Sequence, residues 1–246
     1  ASDIHGKNHH IDGCFSECII SFKIMISDGS ILECSKDINQ ELFKATCGGM
    51  GLTGVILEAK IKLKKIGSQN LHVKTTKTKS LDDLFSCFEK HKESPYSVAW
   101  VDCISMKKNK MSGIFQVGRF SGDGDLSYRK AKSISLPFYF PSFVLSKILM
   151  KLFNMIYLKI NSLKAARVLT IEEFFFPLDI LGKWNRAYGK KGFIQYQFVI
   201  PIENSKNGLN EILNFIAEGN FKPFLSVLKL LGKENDNYLS FAQSGY

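Results

Sequence analysis

His5, Lys7, His9, His10, Cys14 and Cys18 crowd the first eighteen residues, interleaved with Gly6 and Gly13. Imidazoles four apart, as His5 and His9 are, suit a zinc site on one helix face, with Cys14 as a third ligand. Gly6 and Gly13 argue against such a helix, and no second ligand cluster follows downstream. The preferred alternative needs no metal: the imidazole and the ammonium face an anionic or redox-active group, with glycine letting backbone come close.

Three further stretches could carry chemistry. "GMGLTG" (49–54) formally matches the G-x-G-x-x-G dinucleotide fingerprint. That fingerprint needs a strand before it, a helix after it and an acid about 20 residues on. Here the order is helix then strand, and there is no acid near position 74, so the match fails on context. What remains is a turn where backbone passes close to a neighbouring strand or a flat cofactor. Lys229 is a lone lysine in the apolar "FLSVLKLLG" (224–232). It either snorkels to water or waits inside for a phosphate or carboxylate. "PLDILGKWNRAYG" (177–189) gathers turn residues and aromatics, as a packed loop between strands would.

The elements that must position these residues read as α+β. Residues 18–34 form a hairpin about Asp28-Gly29. Residues 37–46 form a short helix capped by Asp37 or Asn39. In 55–66, Leu57, Ala59, Ile61 and Leu63 alternate with charged residues, which predicts a strand with one buried face. The polar run 67–80 marks a domain boundary, giving domains 1–67 and 68–246. Residues 80–91 and 207–219 have helical spacing; 96–105, 112–121 and 189–201 read as strands, the last with Gln195 and Gln197 on one face. Residues 224–232 are a strand or a buried helix. The apolar stretch 134–161 is broken by two prolines and three lysines. From 143 on, Lys147, Lys151, Asn154 and Asn161 make a narrow polar stripe. The helix is either core with snorkelling lysines or a surface element lying on a membrane or over a lipid.

At 246 residues with 45% hydrophobic content the chain can bury a sizeable core. Its net charge is +10, but arginine occurs only at 119, 129, 167 and 186. Base readout and phosphate clamps favour arginine, so no nucleic-acid partner is expected. The six cysteines include no C-x-x-C pair and fit a reducing compartment weakly.

"DIHGKNHH", "DGSILECS" and "NQELFKATCGGMGLTGVILEAKIKL" together resemble the second half of the flavin-binding domain of the vanillyl-alcohol-oxidase superfamily, p-cresol-methylhydroxylase type. "AWVDCIS", "FFPLDILGKWNRAYGKKGFIQYQFVIP" and "FLSVLKLLG" continue the resemblance into a substrate domain with a largely antiparallel sheet flanked by helices. The resemblance is specific to its oxidases of polyprenylphosphoryl ribose. It implies FAD as cofactor and oxidation of the sugar 2′-hydroxyl to a 2′-keto group, the first half of an epimerisation to the arabinose form. A separate nicotinamide-dependent short-chain reductase would finish it, and a membrane quinone would reoxidise the flavin. The location implied is membrane-associated, on the cytoplasmic or periplasmic face.

The resemblance also assigns residues. His5 and Lys7 match catalytic positions beside the flavin ring. Ser2, His5, Gly51, Gly54 and Ile56 match positions where backbone approaches FAD. Lys7, Trp100, Phe175, Gln195, Gln197, Leu225, Val227 and Lys229 match the substrate pocket. Phe175 stands where the best-known members carry tyrosine, and Val98 replaces a small polar residue. The chain reads as an internal section that starts after the pyrophosphate loop and ends before the last pocket strand, so alone it is expected to bind FAD poorly. Two other readings stay open: the same flavin chemistry on another sugar or alcohol, and a non-catalytic lipid- or anion-binding protein.

Overall fold

The computed structural model describes residues 1–246 except 108–109, 123, 129–132, 164, 220 and 222, and the side chains of 107 and 110. The chain divides into two units, Ala1–Lys65 with Leu230–Tyr246, and Ile66–Lys229. The last seventeen residues thus pack with the N-terminal unit, where the sequence reading placed them with the second domain.

The first unit begins with one helical turn, α1 (His9–Asp12). The strands β1 (Ile19–Met25) and β2 (Ile31–Ser35) then form the expected hairpin, with Met25 opposite Ile31. Gly29 takes the left-handed φ of +86° that the turn demands, and the Asp28 carboxylate accepts from the Ser30 amide at 2.8 Å. Helix α2 (Gln40–Thr46) starts at Asn39, whose amide donates back to the Glu33 carbonyl instead of capping the helix. It packs on the hairpin through Phe22, Ile24, Cys34, Phe43 and Cys47. The third strand, β3 (Val55–Ile61), pairs antiparallel with β1. Its expected buried face is absent: all seven residues are exposed. β3 is an edge strand, beyond the reach of the short α2, so alternation there records a sheet face that this small core does not cover.

The second unit is built on a five-stranded sheet in the order β10-β5-β6-β4-β8. Its members are β4 (Asn70–Ser80), β5 (Tyr96–Lys107), β6 (Lys110–Phe120), β8 (Ala166–Thr170) and β10 (Val227–Leu228). A two-stranded pairing of β7 (Ile134–Ser135) with β9 (Leu181–Gly182) lies apart. The polar run read as a boundary contains β4, an inner strand. Leu71, Val73 and Thr75 point inward, and His72 and Lys74 outward. Threonine's β-branching outweighs its polarity here. Helix α3 (Leu81–Lys90) opens with Ser80 accepting from the Asp83 amide and lays Leu84 and Phe88 on the sheet. α5 (Ile171–Phe175) carries a full capping box from Thr170 and Glu173, and α6 (Ser205–Glu218) stops at Gly219.

Helix α4 (Lys147–Ser162) buries two amides, Asn154 and Asn161, beside apolar Met150 and Leu158. Asn154 and Asn161, half of the supposed outer stripe, point inward. The Asn154 amide donates to the buried Asp102 carboxylate at 2.7 Å, and Asn161 accepts from Arg167 at 3.1 Å. Ile148, Met155, Ile156, Ile160 and Leu163 face out. Asp102 and Arg167 supply buried polar partners for these two amides, so the inward face mixes polar and apolar side chains. Among the described residues no helix is long and apolar enough to cross a membrane.

The expected strand 189–201 does not form: residues 192–200 belong to no ladder. Its alternating glutamines and aromatics are a strand pattern without a strand partner among the described residues.

Candidate functional site

In the first unit the N-terminal segment is held by the C-terminal one. Asp3, buried and at φ +40°, is the knot. Its carboxylate accepts from the Ser16 amide at 2.9 Å, Asn235 Nδ2 at 2.8 Å, Asn237 Nδ2 at 2.9 Å and Ser240 Oγ at 2.8 Å. Burial pushes its pKa up, but these hydrogen bonds prevail and hold it below the ordinary carboxylate value. The Gly232 amide donates to His9 Nδ1 at 2.9 Å, and Leu231 bridges Gly245.

This knot presents His5. Its backbone bridges Cys14. Its ring stacks on Phe241, 5.8 Å between centroids and 12° apart, and meets His9 edge-on at 5.8 Å. Lys7 follows on the same partly exposed stretch. Among the described residues no three His, Cys, Asp or Glu side chains gather as a metal site.

The glycine turn lies beside the chain start. The Met50 amide donates to the Ala1 carbonyl at 2.9 Å, which brings exposed Ser2 next to Gly51. Thr46 and Thr53 hydroxyls close the turn at 2.9 Å. The two glycines do different jobs. Gly54, at φ +149°, would put a Cβ 2.3 Å from the Met25 carbonyl oxygen, so it serves the close approach of β1. Gly51, at φ +84°, has nothing within 4 Å of that position, and its backbone is open. Ile56 of β3 stands opposite Ile24 of β1 and is exposed.

In the second unit, Trp100 on β5 is buried among Ile114, Leu158 and Tyr157. Val227 pairs directly with it across β10, with Leu225 exposed two residues before and Lys229 two after. The Val101 amide donates to Ser226 at 3.0 Å and fixes that register. Burial pushes the Lys229 ammonium below the usual lysine range. These four substrate-pocket candidates lie together. Phe175 instead packs with Tyr96 (4.9 Å) and Phe174 (5.0 Å), four residues along β5 from Trp100. Gln195 and Gln197 are exposed, on the segment without a ladder.

Sequence reasoning missed an aromatic wall that extends from Trp100. Tyr157 lies 5.0 Å from it, Phe153 6.0 Å from Tyr157, and Phe224 6.0 Å from Phe153. Tyr188 follows at 4.9 Å and Phe193 at 4.2 Å. The wall draws on four separate stretches; only the i, i+4 pair Phe153 and Tyr157 carried a local signal.

No family model matches the chain. It is 31% identical, over 99% of its length, to decaprenylphosphoryl-β-D-ribose oxidase of Mycolicibacterium smegmatis, and covers 55% of that protein. Shorter matches are 36% identity with an uncharacterised protein of Streptomyces coelicolor (35% of this chain, 23% of that one) and 42% with cytokinin dehydrogenase 3 of Arabidopsis thaliana (18% and 9%). Among solved structures, 6-hydroxy-D-nicotine oxidase from Arthrobacter nicotinovorans superposes on 46% of this chain and 26% of its own, at 21% identity and a TM-score of 0.35. Over nearly all of its length the chain is thus a relative of decaprenylphosphoryl-β-D-ribose oxidase, spanning just over half of that enzyme.

Proposed function

We propose that the chain is part of an FAD-dependent oxidoreductase that oxidises the 2′-hydroxyl of a polyprenylphosphoryl-β-D-ribose to a 2′-keto sugar. The observation that carries this reading is the 31% identity to decaprenylphosphoryl-β-D-ribose oxidase across an alignment that leaves out almost no residue. The first unit suits a flat cofactor: Gly51 has open backbone, Ser2 is adjacent to it, and exposed Ile4, Met50, Leu52 and Val55 offer apolar surface. Bound FAD would supply the hydride acceptor. His5 and Lys7 would stand beside it, the imidazole to take the hydroxyl proton and the ammonium to balance charge on the sugar oxygen. Ser2, Gly51, Gly54 and Ile56 would line the cofactor.

Trp100, Leu225 and Val227 would hold the apolar part of the substrate. Lys229 is a partly desolvated ammonium. The substrate phosphate would supply a counter-charge, and a sugar oxygen a hydrogen-bond acceptor. Gln195, Gln197 and Phe175 belong to this reading through the resemblance of their motifs. The outward apolar face of α4, edged by Lys147, Lys151 and Lys159, supports docking on an anionic membrane, where a polyprenyl substrate and a quinone acceptor reside. The keto product would pass to a nicotinamide-dependent short-chain reductase, in cell-envelope arabinan synthesis.

The test is product formation. The protein expressed from its whole gene, given the ribose lipid and an artificial electron acceptor, should yield a product two hydrogen atoms lighter. Recovery of unchanged lipid from FAD-replete protein would refute the substrate.

A further inference from the structure

We propose that the face of the five-stranded sheet on which α3 packs carries, in the cavity bounded by His72, Lys74 and Arg119, a separate binding site for a phosphate monoester. The cavity has a volume of about 480 Å³, within the range of small-molecule sites. Its floor is β4, β6 and β8, and Ser94 and Pro95, beyond α3, form one wall.

The register explains why the cations converge. His72 stands directly opposite Arg119 on one side and Val168 on the other; Lys74 stands opposite Val117 and Ala166. Paired and alternate residues share a face, so all six project to the same side. The Cβ atoms of a direct pair lie about 5 Å apart and those of diagonal neighbours about 7–8 Å. No lining residue carries a carboxylate. Among the described residues none pairs with Lys74 or Arg119 either. Lys74 and Arg119 are diagonal neighbours of like charge, and an anion between them would relieve their repulsion. A phosphate monoester answers two cations at once: the guanidinium fork takes two oxygens and the ammonium a third. Val117, Ala166 and Val168 then offer apolar surface to the organic part. His91, stacked on Phe115 beside this face, is held below the usual histidine range by burial and by the charges of Lys74 and Lys90, which marks the local field as positive.

This site is distinct from the Trp100 region. Trp100 pairs with Ile114, and Val117 lies an odd number of residues further along β6, so the two project to opposite faces. The inference therefore stands whether or not the oxidase reading holds.

The 246-residue chain, labelled for NMR, is titrated with phenyl phosphate and with inorganic phosphate at constant ionic strength. Vesicles containing phosphatidic acid form a separate arm. We expect saturable shifts confined to 72–74, 117–119 and 165–168, tighter for phenyl phosphate. Arg119→Gln and Lys74→Gln should each weaken binding at least tenfold, and Lys190→Gln on the exposed surface should not. Response to the soluble ester identifies a free metabolite; response to vesicles alone, lost in Arg119→Gln, identifies a lipid headgroup. Shifts scattered over the lysines, or equal weakening by Lys190→Gln with Arg119→Gln spectra native, would overturn the proposal.

Discussion

Replacing Asp3 tests the physical origin of the N-terminal site. Its carboxylate accepts four hydrogen bonds, three of them from the 230–246 segment. A hydrogen bond to a charged group contributes about 1.5–3 kcal/mol. The four are not additive, and burial of the charge offsets part of their sum. Truncation also leaves the Ser16 N–H without its acceptor, while Asn235 and Asn237 keep only Ser16 Oγ. Asp3→Ala should therefore cost about 3–5 kcal/mol, from the lost hydrogen bonds to the charge and the Ser16 N–H left unsatisfied. Asp3→Asn keeps the shape and tolerates the left-handed φ, but turns an NH₂ toward other donors; about 2–4 kcal/mol is expected. Its folded pKa lies below the ordinary 3.8, so the charge stabilises the fold above about pH 4. That contribution is lost as pH falls through the folded value, and the gap between wild type and Asp3→Asn should close on acidification. The assay is urea unfolding across pH, with hydrogen exchange over 230–246. Unchanged midpoints and unchanged protection of that segment in Asp3→Ala would refute the reasoning.

Lys229→Met should raise stability at neutral pH, because burial disfavours the ammonium in the folded state. Between the folded pKa and the unfolded 10.5 the unfolded chain binds more protons, so wild-type stability rises with pH and the mutant's advantage shrinks, as paired denaturant melts would record. Gly54→Ala combines a φ of +149° with a 2.3 Å clash against the Met25 carbonyl; a loss of about 3 kcal/mol or more in unfolding free energy is expected. Gly51→Ala meets open space and should lose only about 1 kcal/mol, from its φ alone. Burial raises the Cys47 and Cys103 thiols to about 11. Mass spectrometry after brief iodoacetamide treatment at neutral pH should find both unmodified in the native chain and alkylated in urea.

Local signals carried part of this structure. The Asp28-Gly29 hairpin, the Ser80-capped helix and β5 with β6 were legible because turn chemistry and periodicity agree there. β4 was not, since lysines and threonines hid an inner strand whose partners lie 30 or more residues away in β6 and 92 or more in β8. α4 was legible as a helix, but the inward turn of Asn154 was not, because its partner Asp102 lies 52 residues away in sequence. At the candidate site His5 and Lys7 stood out by residue type. The Asp3 knot and the Phe241 stack did not, because they join residues more than 230 positions apart. No periodicity reports such a contact.

The most direct measurement is the visible spectrum of the protein expressed from its whole gene, recorded anaerobically while polyprenylphosphoryl ribose is added. The account predicts a protein that carries FAD and whose flavin bleaches on adding the lipid, with Lys7→Ala retaining FAD but not bleaching. A protein that holds no flavin, or a flavin that stays oxidised in excess lipid, would contradict it.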